Sequence, residues 1–279
     1  MRWYADNSEM TGAREGTIPD ILLFGGIVVP TEVEEPLRCA IEKYKKDKFG
    51  NSRVPVKWNF KDLKELYEDK GVAHLHRSML ADSKTWRKDL LELALKFDFH
   101  IVISCLESHS MERLIIKARK SDLAQYVFSN GLMRVALHAR TVKPASATVM
   151  LDWPDKADAK PYDDEYSAAY RSGKSACGAV IYKAGPLKDL RFADCVYYAN
   201  MTCCTLLQVS DLVLGATREL IYVALGKNNA GLGSALCVTM KTRYVGYPGN
   251  IYGRGINISS KSNETRSKIR SHIEVTLAD

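Results

Sequence analysis

No stretch of this chain is apolar for long enough to cross a bilayer. The longest apolar runs lie near residues 21–29 and 206–214, whereas a membrane helix needs about 20 residues. No charged-then-apolar segment with a cleavage site opens the sequence, so no export signal is expected. Low-complexity linkers and internal repeats are also missing, and a single domain over residues 1–279 is expected. Cysteines are few and odd in number, seven in all, and mostly set in apolar runs (Cys105, Cys195, Cys237). That is the pattern of buried thiols in a reducing cytoplasm. Charge is only mildly unbalanced: 40 basic minus 33 acidic residues leaves +7. Such an excess permits a polyanionic partner without demanding one.

Several familiar chemistries are excluded in the same way. Gly173-Lys174-Ser175 resembles the end of a phosphate loop, but Ala168 stands where the first glycine belongs. His74 and His76 are two apart, a spacing that points them away from each other on a helix and disfavours a zinc pair. There is no Gly-x-Ser-x-Gly elbow. Cys203-Cys204, adjacent in an apolar helix, read as core.

What is present alternates between strand and helix patterns. Residues 2–6 read as a strand and 7–19 as a polar loop. Ile21–Val29 reads as a buried strand closed by Pro30, and Thr31 as the N-cap of a helix to about Lys48. Helices are expected at 62–69, 84–96 and roughly 111–139, the last broken near Asn130-Gly131. Strands are expected at 97–106, 147–152 and 190–197. Residues 153–178 read as a polar surface excursion with a helix near Glu165. A mostly apolar helix runs over 202–225, and a loop follows at 227–233. Such alternation indicates an α/β fold with helices packed on a central sheet.

Three acids sit inside core-like sequence. Asp6 ends the first strand, Asp152 ends Ala147–Leu151, and Asp211 lies within Leu206–Val213. An ionised carboxylate in apolar surroundings is costly unless it is paired, protonated or bound to a cation. Three of them suggest one shared metal site, enough to hold one Mg²⁺ with water completing its shell. Each also has an ordinary structural role open to it: Asp6 and Asp152 in turns, Asp211 paired with Arg218.

The islands Tyr4-Ala5-Asp6-Asn7-Ser8, Gly25-Gly26-Ile27-Val28-Val29, Val56-Lys57-Trp58, Leu151-Asp152 and Leu207-Gln208-Val209-Ser210-Asp211-Leu212 resemble, in order and rough spacing, domain-of-unknown-function family 3800. That resemblance implies a ribonuclease H-like fold with a mixed central sheet. It further implies a nuclease that uses Mg²⁺ or Mn²⁺, held by Asp6, Asp152 and Asp211, to cleave phosphodiester bonds of DNA or RNA. Two positions depart from the family pattern. Asn7 replaces a glutamate after the first aspartate, and Pro55 stands where a glutamate precedes the lysine. Glu9 is close in sequence but off the strand face of Asp6.

Lys57 is a candidate phosphate contact or counter-charge for the acids, or a solvated surface lysine. Ser8 either orients a water or closes a turn. Between 241 and 270, Lys241, Arg243, Arg254, Lys261, Arg266, Lys268 and Arg270 interleave with Tyr244, Tyr247 and Tyr252. That mixture suits single-stranded nucleic acid, with Arg266 and Lys268 as phosphate contacts. It also suits a solvated basic face diluted by Glu264 and Glu274. Two other functions stay open: a nucleic-acid-binding protein with a decayed site, and a non-enzymatic accessory module of a defence or mobile-element system.

Overall fold

The computed structural model describes residues 1–8, 20–108, 120–153, 159–176, 178–227, 229, 231–260 and 262–278. Its strands are β1 (Arg2–Asn7), β2 (Asp20–Val29), β3 (His100–Ser108), β4 (Thr148–Asp152), β5 (Tyr197–Ala199) and β6 (Ile256–Ser259). They form one mixed sheet in the order β5-β4-β1-β2-β3-β6. The three strands β1, β2 and β3 are antiparallel neighbours. β4 runs parallel to β1, β5 to β4, and β6 to β3. Ala5 pairs with Leu151, so Asp6 and Asp152 leave the sheet side by side.

Among the described residues, the helices longer than one turn are α1 (Thr31–Phe49), α2 (Lys64–Asp69), α3 (Ala73–Ala81), α4 (Ser83–Ala94), α5 (Lys120–Val142), α6 (Lys160–Ser172), α7 (Thr205–Ala224), α8 (Leu232–Thr239) and α9 (Asn263–Thr276). No helix among the described residues is long and apolar enough to cross a membrane. Strand alternation sorts the core into two layers. Tyr4, Ile27 and Val29 pack with Ile41, Trp86, Leu207 and Leu212 on the α1, α4 and α7 side. Trp3, Ala5 and Phe24 pack with Phe128, Leu132 and Tyr162 on the α5 and α6 side. A helix apolar around most of its circumference must be buried, and α7 is: residues from Thr205 to Thr217 are all buried.

The structure corrects several expectations. α5 runs straight through Asn130-Gly131. The glycine is there because a Cβ would stand 3.0 Å from the Trp3 ring. The start expected for this helix, residues 111–119, lies outside the described residues, as do Glu9 and Lys261. Thr31 opens α1 rather than capping it. The strand expected at 190–197 is a loop over most of that range, and β5 begins only at its last residue, Tyr197. Arg191, at φ 64°, turns the chain out of extension, and Phe192 and Val196 are buried from a loop. The excursion over 153–178 is not all surface, because α6 buries Tyr162, Tyr166, Ala169 and even Glu165. Residues 154–158 and 177 within it lie outside the described residues. The loop expected at 227–233 gives way to α8 at Leu232. α3, β6 and α9 had no distinct sequence signal. Cys195 is exposed, unlike Cys105 and Cys237, and Cys203 is exposed beside the half-buried Cys204.

Candidate functional site

Asp211 reaches the sheet because α7 lies directly on β1 and β2. A Cβ on Gly26 would stand 2.3 Å from the Tyr4 carbonyl and 2.7 Å from the Ser210 side chain. Only glycine leaves room for the helix at that point. The Ser210 hydroxyl donates to the Tyr4 carbonyl (2.7 Å) and accepts from the Ile27 amide (3.3 Å). With Ser210 pinned to β1, the next residue brings its carboxylate to the Asp6 end of that strand.

Gln208, one turn earlier, joins two loops to α7. Its Oε1 accepts from Lys45 Nζ (2.8 Å) and the Val56 amide (3.4 Å). Its Nε2 donates to the carbonyls of Met201 (2.9 Å) and Thr202 (3.3 Å). Each loop then delivers one backbone N–H to an acid. Trp58 donates to Asp211 Oδ2 at 2.5 Å, and Met201 donates to Asp152 Oδ1 at 2.7 Å. Trp58 is seated on Gly215, where a Cβ would fall 2.0 Å from the indole. The Arg87 guanidinium stacks on the same ring at 4.9 Å and donates to the Trp58 carbonyl. Lys45 is an ammonium with 1% exposure, and burial lowers its pKa to about 8.

The acids feel one another. Burial first, then the charges of Asp211 and Asp152, push the Asp6 pKa well above the ordinary carboxyl range, although the Asn7 amide (2.7 Å) and Lys57 oppose the shift. Asp211 is raised to about 6, chiefly by burial, against the Trp58 hydrogen bond and the charges of Lys57 and Arg87. Burial alone would lower the Lys57 pKa, but Asp211, Asp6, Asp62 and Asp152 together hold it above its usual value. Thus Asp6, Asp152, Asp211 and Lys57, from two strands, a helix and a loop, form one electrostatic cluster. Asp62 adds a further negative charge.

The chemistry of this donor set suits a hard cation: two buried carboxylates and one half-buried one that repel one another. The spacing is looser than a cage. Among the described residues, no three His, Cys, Asp or Glu side chains form a group able to hold one ion. Mg²⁺ does not require such a cage, since it commonly binds through one or two carboxylates, waters and substrate phosphate.

The remaining candidates take other roles. Asp211 bonds to Trp58 rather than pairing with Arg218, whose Nε donates to the Tyr222 hydroxyl (2.9 Å). The Ser8 hydroxyl accepts from the Leu23 amide (2.9 Å), so it extends the β1–β2 pairing. Burial raises the Tyr162 pKa, and the Asn7 side chain opposes that shift. The Pro55 carbonyl accepts from the Tyr67 hydroxyl (2.7 Å). His76 stacks on Phe60 in the core while His74 is exposed. In the basic segment, Arg243 binds Asp98 (2.9 Å), Lys268 pairs with Glu264 (2.7 Å), Arg270 with Glu274 (2.8 Å), and Arg266 contacts Asn263. Tyr244 is core, bonded to Thr217 (2.8 Å). Sequence reasoning missed Arg87, Asp62 and Tyr162. Nothing in a charged amphipathic helix distinguishes Arg87 from its solvated neighbours.

Compared with protein family models, curated proteins and solved structures, the chain matches none.

Proposed function

We propose that this protein is a divalent-metal-dependent nuclease of the ribonuclease H-like kind. The observation that carries the reading is the cluster itself: three mutually repelling carboxylates and one lysine, gathered at one sheet edge by separate elements. The sheet order supports the fold assignment. Three antiparallel strands continue into β4 and β5, both parallel to β1, with an acid at the end of β1, another at the end of β4 and a third on the helix packed across them. Asp6, Asp152 and Asp211 would hold Mg²⁺ or Mn²⁺. When bound, such an ion supplies a more acidic water and polarises a phosphoryl oxygen. Lys57 faces the charge that develops on the phosphoryl group. The Trp58 and Met201 amides keep Asp211 and Asp152 oriented.

A second reading, a nucleic-acid-binding protein whose site has decayed, is favoured by Asn7 and by the absence of a three-ligand group among the described residues. One experiment separates the two. Asp6→Ala and Asp211→Ala should each abolish cleavage of a mixed DNA and RNA panel in Mg²⁺ or Mn²⁺ while binding survives. Binding by the wild type with no cleavage in either metal would establish the decayed site instead.

A further inference from the structure

Trp153, the residue after Asp152, has no part in the site described above. It is 51% exposed, whereas Trp3 and Trp86 are fully buried. Its backbone amide donates to the Ala199 carbonyl at 2.9 Å, so it continues the β4–β5 pairing. Strand alternation sends its side chain to the face opposite Asp152, one step of about 3.3 Å along the chain. On that face it meets Tyr198, edge to face, with ring centroids 5.1 Å apart and planes at 85°. Tyr198 is itself tied down, because its hydroxyl donates to Asp163 Oδ1 of α6 at 2.7 Å. The backbone of Trp153 is fixed by strand pairing and its indole is braced on one side by Tyr198, while half of the residue's surface faces solvent.

We propose that Trp153, braced by Tyr198, is a stacking platform for an unpaired nucleobase and makes the substrate single-stranded. This rests on the nuclease reading of the neighbouring acids. A strand whose phosphodiester is held at Asp152 passes the end of β4, and a neighbouring base that turns to the other face of the sheet there meets the Trp153 ring. In a duplex that base is already stacked on both sides and paired, so an exposed indole has nothing to take up. In a single strand it is free, and aromatic stacking accepts any base because each has a π-face. The edge-to-face brace matters because a fixed ring loses little conformational freedom on binding.

The test uses the full chain with single-stranded and duplex oligonucleotides of mixed sequence. Single strands should quench the tryptophan fluorescence of the wild type. Trp153→Phe should lose that quenching yet keep its affinity by fluorescence anisotropy. Trp153→Ala should lose both, with Kd, or KM where cleavage occurs, raised about tenfold and kcat within twofold. An abasic nucleotide beside the scissile phosphate should weaken the wild type about equally and should not weaken Trp153→Ala further. Duplex of the same sequence should bind worse than the single strand, and Trp153→Ala should not change that binding. Unchanged affinity of Trp153→Ala for single strands overturns the platform while leaving nuclease activity intact. Quenching and the alanine effect without cleavage in any metal retain the platform and overturn the nuclease reading. No binding of either form overturns both.

Discussion

Asp211 is a carboxyl group whose surroundings favour its proton. Its folded pKa of about 6 lies above the ordinary value of 3.8, so the native state binds a proton that the unfolded chain has already released. Stability from this group is present below about pH 4 and is lost as pH rises through about 6. The resulting deficit above pH 6 is on the order of 1–3 kcal/mol. Asp211→Asn removes the charge and keeps an oxygen to accept the Trp58 N–H. In chelator at pH 8 it should therefore melt higher than the wild type, and at pH 4 the two should coincide. An equal gain at both pH values would show that charge is not the cause.

At the scale of elements, α7 and the loop carrying Val56–Trp58 are fitted together by absences of side chain. Gly26 lets α7 touch β1 and β2, and Gly215 lets the Trp58 indole lie on α7. Gly215 occupies a helical position where alanine is intrinsically preferred by about 1 kcal/mol. In isolation, Gly215→Ala would stabilise the helix. Here the added methyl would fall 2.0 Å from the indole, and overpacking of this kind costs about 1–3 kcal/mol. The variant should lose stability in chemical denaturation. It should also raise the Asp211 pKa, because displacing Trp58 removes the hydrogen bond that lowers it. A pH titration of stability would detect that shift, and a simple helix-propensity gain would refute the fit described here.

Across the whole molecule, the negative cluster at one end of the sheet sets the response to cations. A ligand that binds only the native state stabilises it by mass action. Mn²⁺ should therefore raise the melting temperature above that in chelator, and Asp152→Asn should erase most of the difference. Identical wild-type melts would count against metal binding. Nucleic-acid affinity should come from basic groups spread more widely. α9 follows β6, which lies three strands from β1, about 14 Å across the sheet. Its Arg266 and Lys268 are engaged by Asn263 and Glu264 on the same helix, and exposed pairs of this kind are weak enough to yield to phosphate. Charge reversal at both should weaken binding of long oligonucleotides and flatten its salt dependence, while leaving dinucleotide-sized substrates and the metal-induced melting shift unchanged.

Apolar patterning was sufficient for β2, α4 and α7, because each is long and buries one face or most of its circumference. It was insufficient for β6 and β5, which are four and three residues long, and for α9, whose polar face outweighs its few buried positions, Thr265, Ile269 and Ile273. Asp6, Asp152 and Asp211 stood out in the sequence because each charge interrupts an apolar run. Their nearness to one another did not, since it depends on Gly26 admitting Ser210 and on Gln208 drawing two loops to one helix. Arg87 became a neighbour of the cluster only when α4 packed against α7, whereas Asp62 acts on it through Lys57, five residues earlier in the chain. The sequence by itself determined an α/β chain and marked three acids set in apolar runs, each with an ordinary structural role still open. The tertiary structure decided that those acids share one electrostatic field, because pKa shifts and charge coupling depend on distance through a buried medium and not on separation along the chain.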